Sequence, residues 1–279
     1  MDEDPVFFHL STTTHSSDMN DLGRSEMRVL LVSDIHSNIE ALDAVFEASP
    51  PDTFDAIWCT GDITGYGPNP TECVNAFIHR SNWQVVMGNH DSVISEVSLP
   101  LGFNPHALSA TKKNMEVIAS DAAKWLSRLK HSINVASDIL LVHGSPIDPD
   151  EYLLSLELAI PSLSLMAQRG VKLTLFGHTH FPAMYIYDRR EDRYFEESIS
   201  PDREMSIDLS ADMYYLVNPG SVGQPRDSDP RASYMELQID DRRIVMKNRR
   251  VCYRIASCQE KMRIQEYPEI LINRLNVGY

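Results

Sequence analysis

Cysteine is scarce. Cys59, Cys73, Cys252 and Cys258 are the only four in 279 residues, and no two form a CxxC pair. A chain of this length can bury roughly three quarters of its unfolded surface, so its core needs no disulfide staples. So few thiols, without a framework, fit a reducing compartment, and the cytoplasm is the expected location. Basic charge is also in short supply: 25 Lys and Arg stand against 40 Asp and Glu, a formal net charge of −15. That balance argues against sequence-specific nucleic-acid binding and against adsorption to an anionic membrane. It leaves a small anionic substrate open, because metal ions invert the local field of an acidic protein. No apolar run approaches the length needed to span a bilayer. Phe7, Phe8 and Leu10 follow acidic residues and are too few for a secretory signal. Gly65-Tyr-Gly-Pro68 lacks the downstream Gly-Lys-Ser/Thr of a P-loop. No internal repeat stands out.

What is present is a chain of short apolar runs alternating with helical periods. Residues 1–26 are polar and rich in Ser and Thr, and read as an N-terminal arm. Arg28–Ser33, Asp55–Cys59 and Trp83–Met87 read as strands covered on both faces. Helices should lie between them, the first with Ser37 and Glu40 at capping-box spacing and the second opened by Pro70. Three strand–loop–helix steps predict an α/β fold. Residues 92–136 read as a helical insertion, with helices near 106–119 and 120–129. Asp138–Val142 and Val171–Phe176 are further strands, flanking a helix over 151–169 that Pro161 should break. The strands expected over 183–188, 193–198, 214–217, 233–239 and 243–249 predict a second, partly antiparallel sheet. The domain thus runs over 27–250, and 251–279 forms a C-terminal helical extension packed on it, interrupted near Pro268.

The chemistry-bearing residues stand directly after expected strands, where ligand groups gather in α/β proteins. They are Asp34-Ile-His36, Gly61-Asp62, Gly88-Asn89-His90-Asp91, His143-Gly144 and Gly177-His178-Thr-His180. Two carboxylates, one amide oxygen and four imidazoles suit zinc or a transition metal better than calcium. Seven ligands are too many for one ion. They serve two ions that share a carboxylate, and Asp62 can bridge because its two oxygens can contact different ions. Any one such residue is more often a cap or a satisfied core group; the ordered set points to metal.

In that order and spacing the motifs resemble the calcineurin-like metallophosphoesterase superfamily, most closely its small bacterial and archaeal phosphodiesterase branch. Asn218-Pro-Gly-Ser-Val-Gly-Gln-Pro-Arg226 resembles a segment of that branch. The resemblance implies a four-layer α/β/β/α sandwich, with two mixed sheets packed face to face and flanked by helices. It implies two divalent or transition-metal ions, Mn or Fe foremost, with Zn, Co and Ni as alternatives. The first ion would take Asp34, His36, Asp62 and His180, and the second Asp62, Asn89, His143 and His178. His90 would face the phosphate without binding metal, and Asp91 would orient it through its other ring nitrogen. The implied activity is hydrolysis of a small phosphodiester, such as a cyclic or other nucleotide, by metal-activated hydroxide.

Residues 61–68 depart from the Asp-Arg-Gly pattern of the phosphoprotein phosphatases, and residue 91 is Asp where that branch has Glu. A phosphomonoesterase or serine/threonine phosphoprotein phosphatase is therefore the second reading, and a non-catalytic interaction module the third. Tyr66, Ser221 and Arg226 are candidate pocket residues. Each has a plainer alternative: a packed loop for Tyr66, turn support for Ser221, carboxylate pairing for Arg226. The sequence leaves the oligomeric state open.

Overall fold

The structure, a computed structural model, describes residues 26–78 and 80–279. The arm expected over 1–26 lies, apart from Glu26, outside the described residues. The first strand, β1 (Met27–Val32), alternates its apolar side chains between two environments. Val29 and Leu31 join the core between two sheets, whereas Leu30 and Val32 point outward beneath helix α1 (Ile39–Ala48). Side chains of a strand alternate faces, so a strand covered on both sides must be apolar throughout, as this one is.

β2 (Ala56–Cys59) and β3 (Trp83–Val85) continue in parallel, joined through α2 (Pro70–Asn75). The chain then runs through α3 (Asn89–Ile94), α4 (Pro105–Val117), α5 (Ser120–Leu126), β4 (Ser132–Ala136), β5 (Ile139–Val142) and α6 (Leu156–Arg169). It continues with β6 (Leu173–Leu175), β7 (Pro182–Asp188), β8 (Arg193–Glu197), β9 (Glu204–Asp208), β10 (Met213–Pro219), β11 (Ala232–Asp240) and β12 (Arg243–Val251). Two helices close it, α7 (Ile255–Ile264) and α8 (Glu269–Arg274).

The strands form two mixed six-stranded sheets, ordered β3-β2-β1-β11-β12-β9 and β4-β5-β6-β10-β7-β8. Their inner faces meet through Val29, Leu31 and Met235 on one side and Leu141, Leu175 and Val217 on the other. α1, α2 and α5 cover the first sheet, with Leu42, Val45, Val74 and Leu126 in one cluster. α6 covers the second through Leu163 and Met166. The result is the α/β/β/α sandwich.

Several local expectations change. The late strands do not form one sheet: β7, β8 and β10 complete the second, while β9, β11 and β12 extend the first. Alternation in a sequence marks a strand but not its partner, and β11 pairs antiparallel with β1, more than 200 residues earlier. The segment 92–136 is not helical throughout; its end supplies edge strand β4, and Val86 bridges to Lys130. Pro161 does not break α6, which starts later, at Leu156. Pro161 and Glu157 both lie on the exposed side of that helix, so the Glu157 carbonyl left without its amide partner faces water. Ser37 does not cap α1. Asn38 does, its Oδ1 accepting from the Ala41 amide at 3.2 Å, because the Ser37 hydroxyl is committed to Asn114 at 2.6 Å.

Candidate metal centre

The ends of β1, β2, β5 and β6, with the helix start after β3, bring Asp34, His36, Asp62, Asn89, His143, His178 and His180 together. Sharp turns make this convergence possible. Asp34, His36, Asp62, His178 and His180 all have positive φ, between 50° and 67°. Each such residue costs on the order of 1 kcal/mol in backbone energy, and strain of this kind gathers at functional sites. Close approach adds to it: a Cβ on Gly88 would collide with the Asp62 carboxylate, and one on Gly177 with the Ser33 hydroxyl and Asp34.

Three overlapping groups have ligand atoms within 4.8 Å of one another: Asp34–His36–His180, His36–Asp62–His90 and Asp62–His143–His178. All these residues are buried. The hydrogen-bond pattern fixes which ring nitrogens are free. His36 Nδ1 lies 3.0 Å from the Thr64 carbonyl, and His180 Nδ1 lies 2.6 Å from that of Gln224. A carbonyl only accepts, so each Nδ1 donates, and each neutral ring presents a bare lone pair at Nε2. These two Nε2 atoms face each other at 3.0 Å, with Asp34 Oδ1 3.4 Å from that of His180.

The other half repeats the pattern. His143 Nδ1 donates to the Thr60 carbonyl at 2.8 Å, and His178 Nε2 to the Asp150 carbonyl at 3.1 Å. His143 Nε2 then meets His178 Nδ1 at 3.1 Å, Asn89 Oδ1 at 3.1 Å and Asp62 Oδ2 at 3.3 Å. Asp62 Oδ2 is also 3.6 Å from His36 Nε2, so one oxygen faces both halves. Lone pairs converging without protons between them are unfavourable unless a cation lies among them. The donor set therefore fits two metal ions, and the backbone carbonyls fix the tautomers that metal ligation needs.

Protonation reflects the same crowding. Burial pushes the Asp34 carboxyl up to about 7. Burial also drives His36 and His180 well below the usual imidazole range. Burial would lower His143 as well, but the adjoining Asp62 carboxylate outweighs it and pushes the imidazole up to about 10, so that without metal a proton on Nε2 takes the place of the cation beside Asp62. For Asp62 burial acts upward, and His143, His90 and His36 overcome it to hold the carboxyl below the usual range.

The neighbours of the ligands differ from expectation. His90 donates its backbone N–H to Asp62 Oδ1 at 2.9 Å, and its ring lies between those of Tyr66 and Phe103, each with centroids 4.6 Å away. Asp91 does not orient that ring. Its carboxylate accepts from the amides of Ile63, Thr64 and Gly88 and from the Thr64 hydroxyl, tying the Asp62 loop to the start of α3. The group beside His90 Nδ1 is the Thr111 hydroxyl of α4, at 3.5 Å. Ser221 is buried turn support: its hydroxyl donates to the Asp34 carbonyl at 2.7 Å and accepts from the Gln224 amide at 2.8 Å.

Tyr66 is at φ 44° and packs its ring 4.7 Å from that of His36. Arg226 Nη2 reaches the Tyr66 hydroxyl at 3.4 Å. Tyr152, absent from the sequence expectations, packs against His178 with its ring tilted by 37° and centroids 3.7 Å apart. No residue pattern marked it, because 151–169 reads as helix, whereas Tyr152 lies in the loop that precedes α6.

Comparison with known proteins agrees with this geometry. Residues 27–242 match the family model described as the calcineurin-like phosphoesterase superfamily domain. An uncharacterized protein of Methanocaldococcus jannaschii is 35% identical over 254 residues, covering 90% of this chain and 98% of its own. The crystal structure of a metallophosphoesterase from Sphaerobacter thermophilus superposes with a TM-score of 0.76 at 35% identity, over 91% of this chain and 100% of that one. A hypothetical protein from Pyrococcus horikoshii shares the fold, with a TM-score of 0.69 at 19% identity over 90% of this chain and 98% of its own.

Proposed function

Because the chain belongs to the calcineurin-like phosphoesterase superfamily, we propose that it hydrolyses a small phosphodiester, such as a cyclic or other nucleotide, at a two-metal centre. The convergence of four carbonyl-anchored imidazoles on Asp34, Asp62 and Asn89 carries this reading. Asp34, His36, Asp62 and His180 would hold one divalent ion, and Asp62, Asn89, His143 and His178 the other. Ions bound there supply charge neutralisation for the phosphoryl oxygens and an acidified water for attack. Mn and Fe are the first candidates, and Zn, Co and Ni also suit the mixed N/O donor set.

The chain's own contribution is placement. Thr60, Thr64, Asp150 and Gln224 hold the ligating imidazoles in one tautomer through their carbonyls. His90 is fixed beside Asp62 and His36. In the tautomer with the ring proton on Nε2, the Thr111 hydroxyl, 3.5 Å away, would donate to Nδ1, and Nε2 would hydrogen-bond a phosphoryl or leaving-group oxygen. Arg226 adds a cation near the same rim.

A diester is preferred because residues 61–68 and Asp91 lack the phosphoprotein-phosphatase pattern. Among the described residues no helix is long and apolar enough to cross a membrane. The four cysteines are free, which supports a cytoplasmic setting. The deciding assay compares turnover of bis(4-nitrophenyl) phosphate, 4-nitrophenyl phosphate and cyclic nucleotides by the Mn²⁺-loaded full chain. A kcat/KM at least tenfold higher for the diesters is expected. Preference for the monoester would select a phosphomonoesterase, and inactivity on every ester would exclude hydrolysis.

A further inference from the structure

Four arginines are partly buried among the described residues: Arg226, Arg249, Arg250 and Arg274. Arg249 pairs with Asp202 and Glu236, and Arg250 with Asp227. Arg274 donates to the Tyr279 carbonyl oxygen beyond α8. Among the described residues no carboxylate lies within ion-pair distance of Arg226, which meets the Asp34 carboxylate and the Arg274 cation only at longer range. Arg226 Nη2 lies 3.4 Å from the Tyr66 hydroxyl and 3.4 Å from Gln224 Oε1, and its Nε is buried with no acceptor. The guanidinium sits over the Tyr66 ring, 5.8 Å from its centroid, and also interacts with the Tyr152 phenol.

In a chain with fifteen more acidic than basic side chains, a half-buried guanidinium with no carboxylate in contact is costly unless an anion visits it. Its flanking groups lead back to the metal centre. Tyr66 packs on His36 and His90, and Tyr152 packs on His178. One side chain therefore separates Arg226 from each half of the centre. The left-handed backbone at Gly65 and Tyr66 holds that phenol in place. Guanidinium and phenol hydroxyls together offer charge and directed donors suited to a phosphate or carboxylate.

We propose that Arg226, framed by Tyr66 and Tyr152, is an anion subsite beside the metal centre, and that the substrate is a phosphodiester bearing a further anionic group close to the scissile phosphorus. The proposal rests on the two-metal phosphoesterase reading and narrows its substrate class. A plain diester carries one charge, which the metal centre already answers. A second phosphate or a carboxylate would engage the unpaired cation.

The test uses the Mn²⁺-loaded full chain and a pair of non-hydrolysable ligands, propylphosphonate and 3-phosphonopropionate, which differ by one carboxylate. Calorimetry should show 3-phosphonopropionate binding about tenfold more tightly at low salt, with the advantage shrinking as salt rises. Arg226→Gln should bring the two affinities together while metal content stays at two ions per chain, and Arg226→Lys should restore part of the difference. The hydrolysable pair, propyl and 2-carboxyethyl 4-nitrophenyl phosphate, should show the same ratio in kcat/KM. Equal affinities in the unaltered protein, or a preference that survives Arg226→Gln, would overturn the subsite alone. Failure of both phosphonates to bind would overturn the phosphoesterase reading together with it.

Discussion

At the scale of single residues, the proposed metal ligands were legible because their chemistry is unusual for their setting. Carboxylates, an amide and imidazoles rarely follow buried strands one after another unless something holds them there. Asp62 and His143 illustrate this: both are buried, and they meet at 3.3 Å. The groups that aim the imidazoles were not legible. Thr60, Thr64, Asp150 and Gln224 act through backbone carbonyls, which every residue possesses. Asp91 misled because the family resemblance implied a contact with the His90 ring, whereas the turn into α3 aims its carboxylate at the amides of Ile63, Thr64 and Gly88. Two predictions belong at this scale. His90→Ala should leave two ions bound per chain, read by plasma mass spectrometry, and lower kcat by about 10²–10⁴-fold. Asp91→Ala should instead lower thermal stability, by about 2–4 kcal/mol, because three amides and a hydroxyl lose their buried acceptor.

At the scale of elements, strand existence followed from apolar runs, and strand partnership did not. β11 lies against β1 because the loop after β10 carries the chain across, with the Val222 and Gly223 amides donating to Ser33 and Asp34. That loop therefore links the sheets and braces the first ligand. The helical segment α4 plays a comparable part. Asn114 is buried and accepts from the Ser37 hydroxyl and the Gly65 amide while donating to the Gly67 carbonyl and the Tyr267 hydroxyl. One amide thus joins α4 and the C-terminal helices to the loops bearing His36 and Tyr66. Asn114→Leu would strand several of these groups. It should cost about 3–5 kcal/mol by denaturant unfolding and weaken Mn²⁺ binding, with the metal-free protein still folded at 25 °C. An unchanged midpoint would show that α4 is not tied to the centre in this way.

At the scale of the whole molecule, the sandwich has a division of labour. The inner and outer apolar clusters supply stability, which the strained, proton-poor metal centre spends none of its own residues on. Phe176 shows the coupling between the two. It is fully buried against Tyr185 and Leu163 and directly precedes Gly177-His178. Phe176→Ala should cost about 3–5 kcal/mol in unfolding experiments. Metal should act in the opposite sense, since ions that bind only the folded chain stabilise it. Free Mn²⁺ at 100 times its Kd adds about 2.7 kcal/mol per site, and scanning calorimetry should show Tm rising accordingly and falling again with chelator.

On the proposed reading seven side chains would hold two ions, with Asp62 shared between them. The Mn²⁺ stoichiometry of the full chain at saturation, determined by equilibrium dialysis and plasma mass spectrometry, tests this arrangement. The expected plateau is two ions per chain, about one in His143→Ala and in His180→Ala, and fewer than one in Asp62→Asn. A plateau at one or none in the unaltered chain, or an Asp62→Asn variant that still holds two, would contradict it.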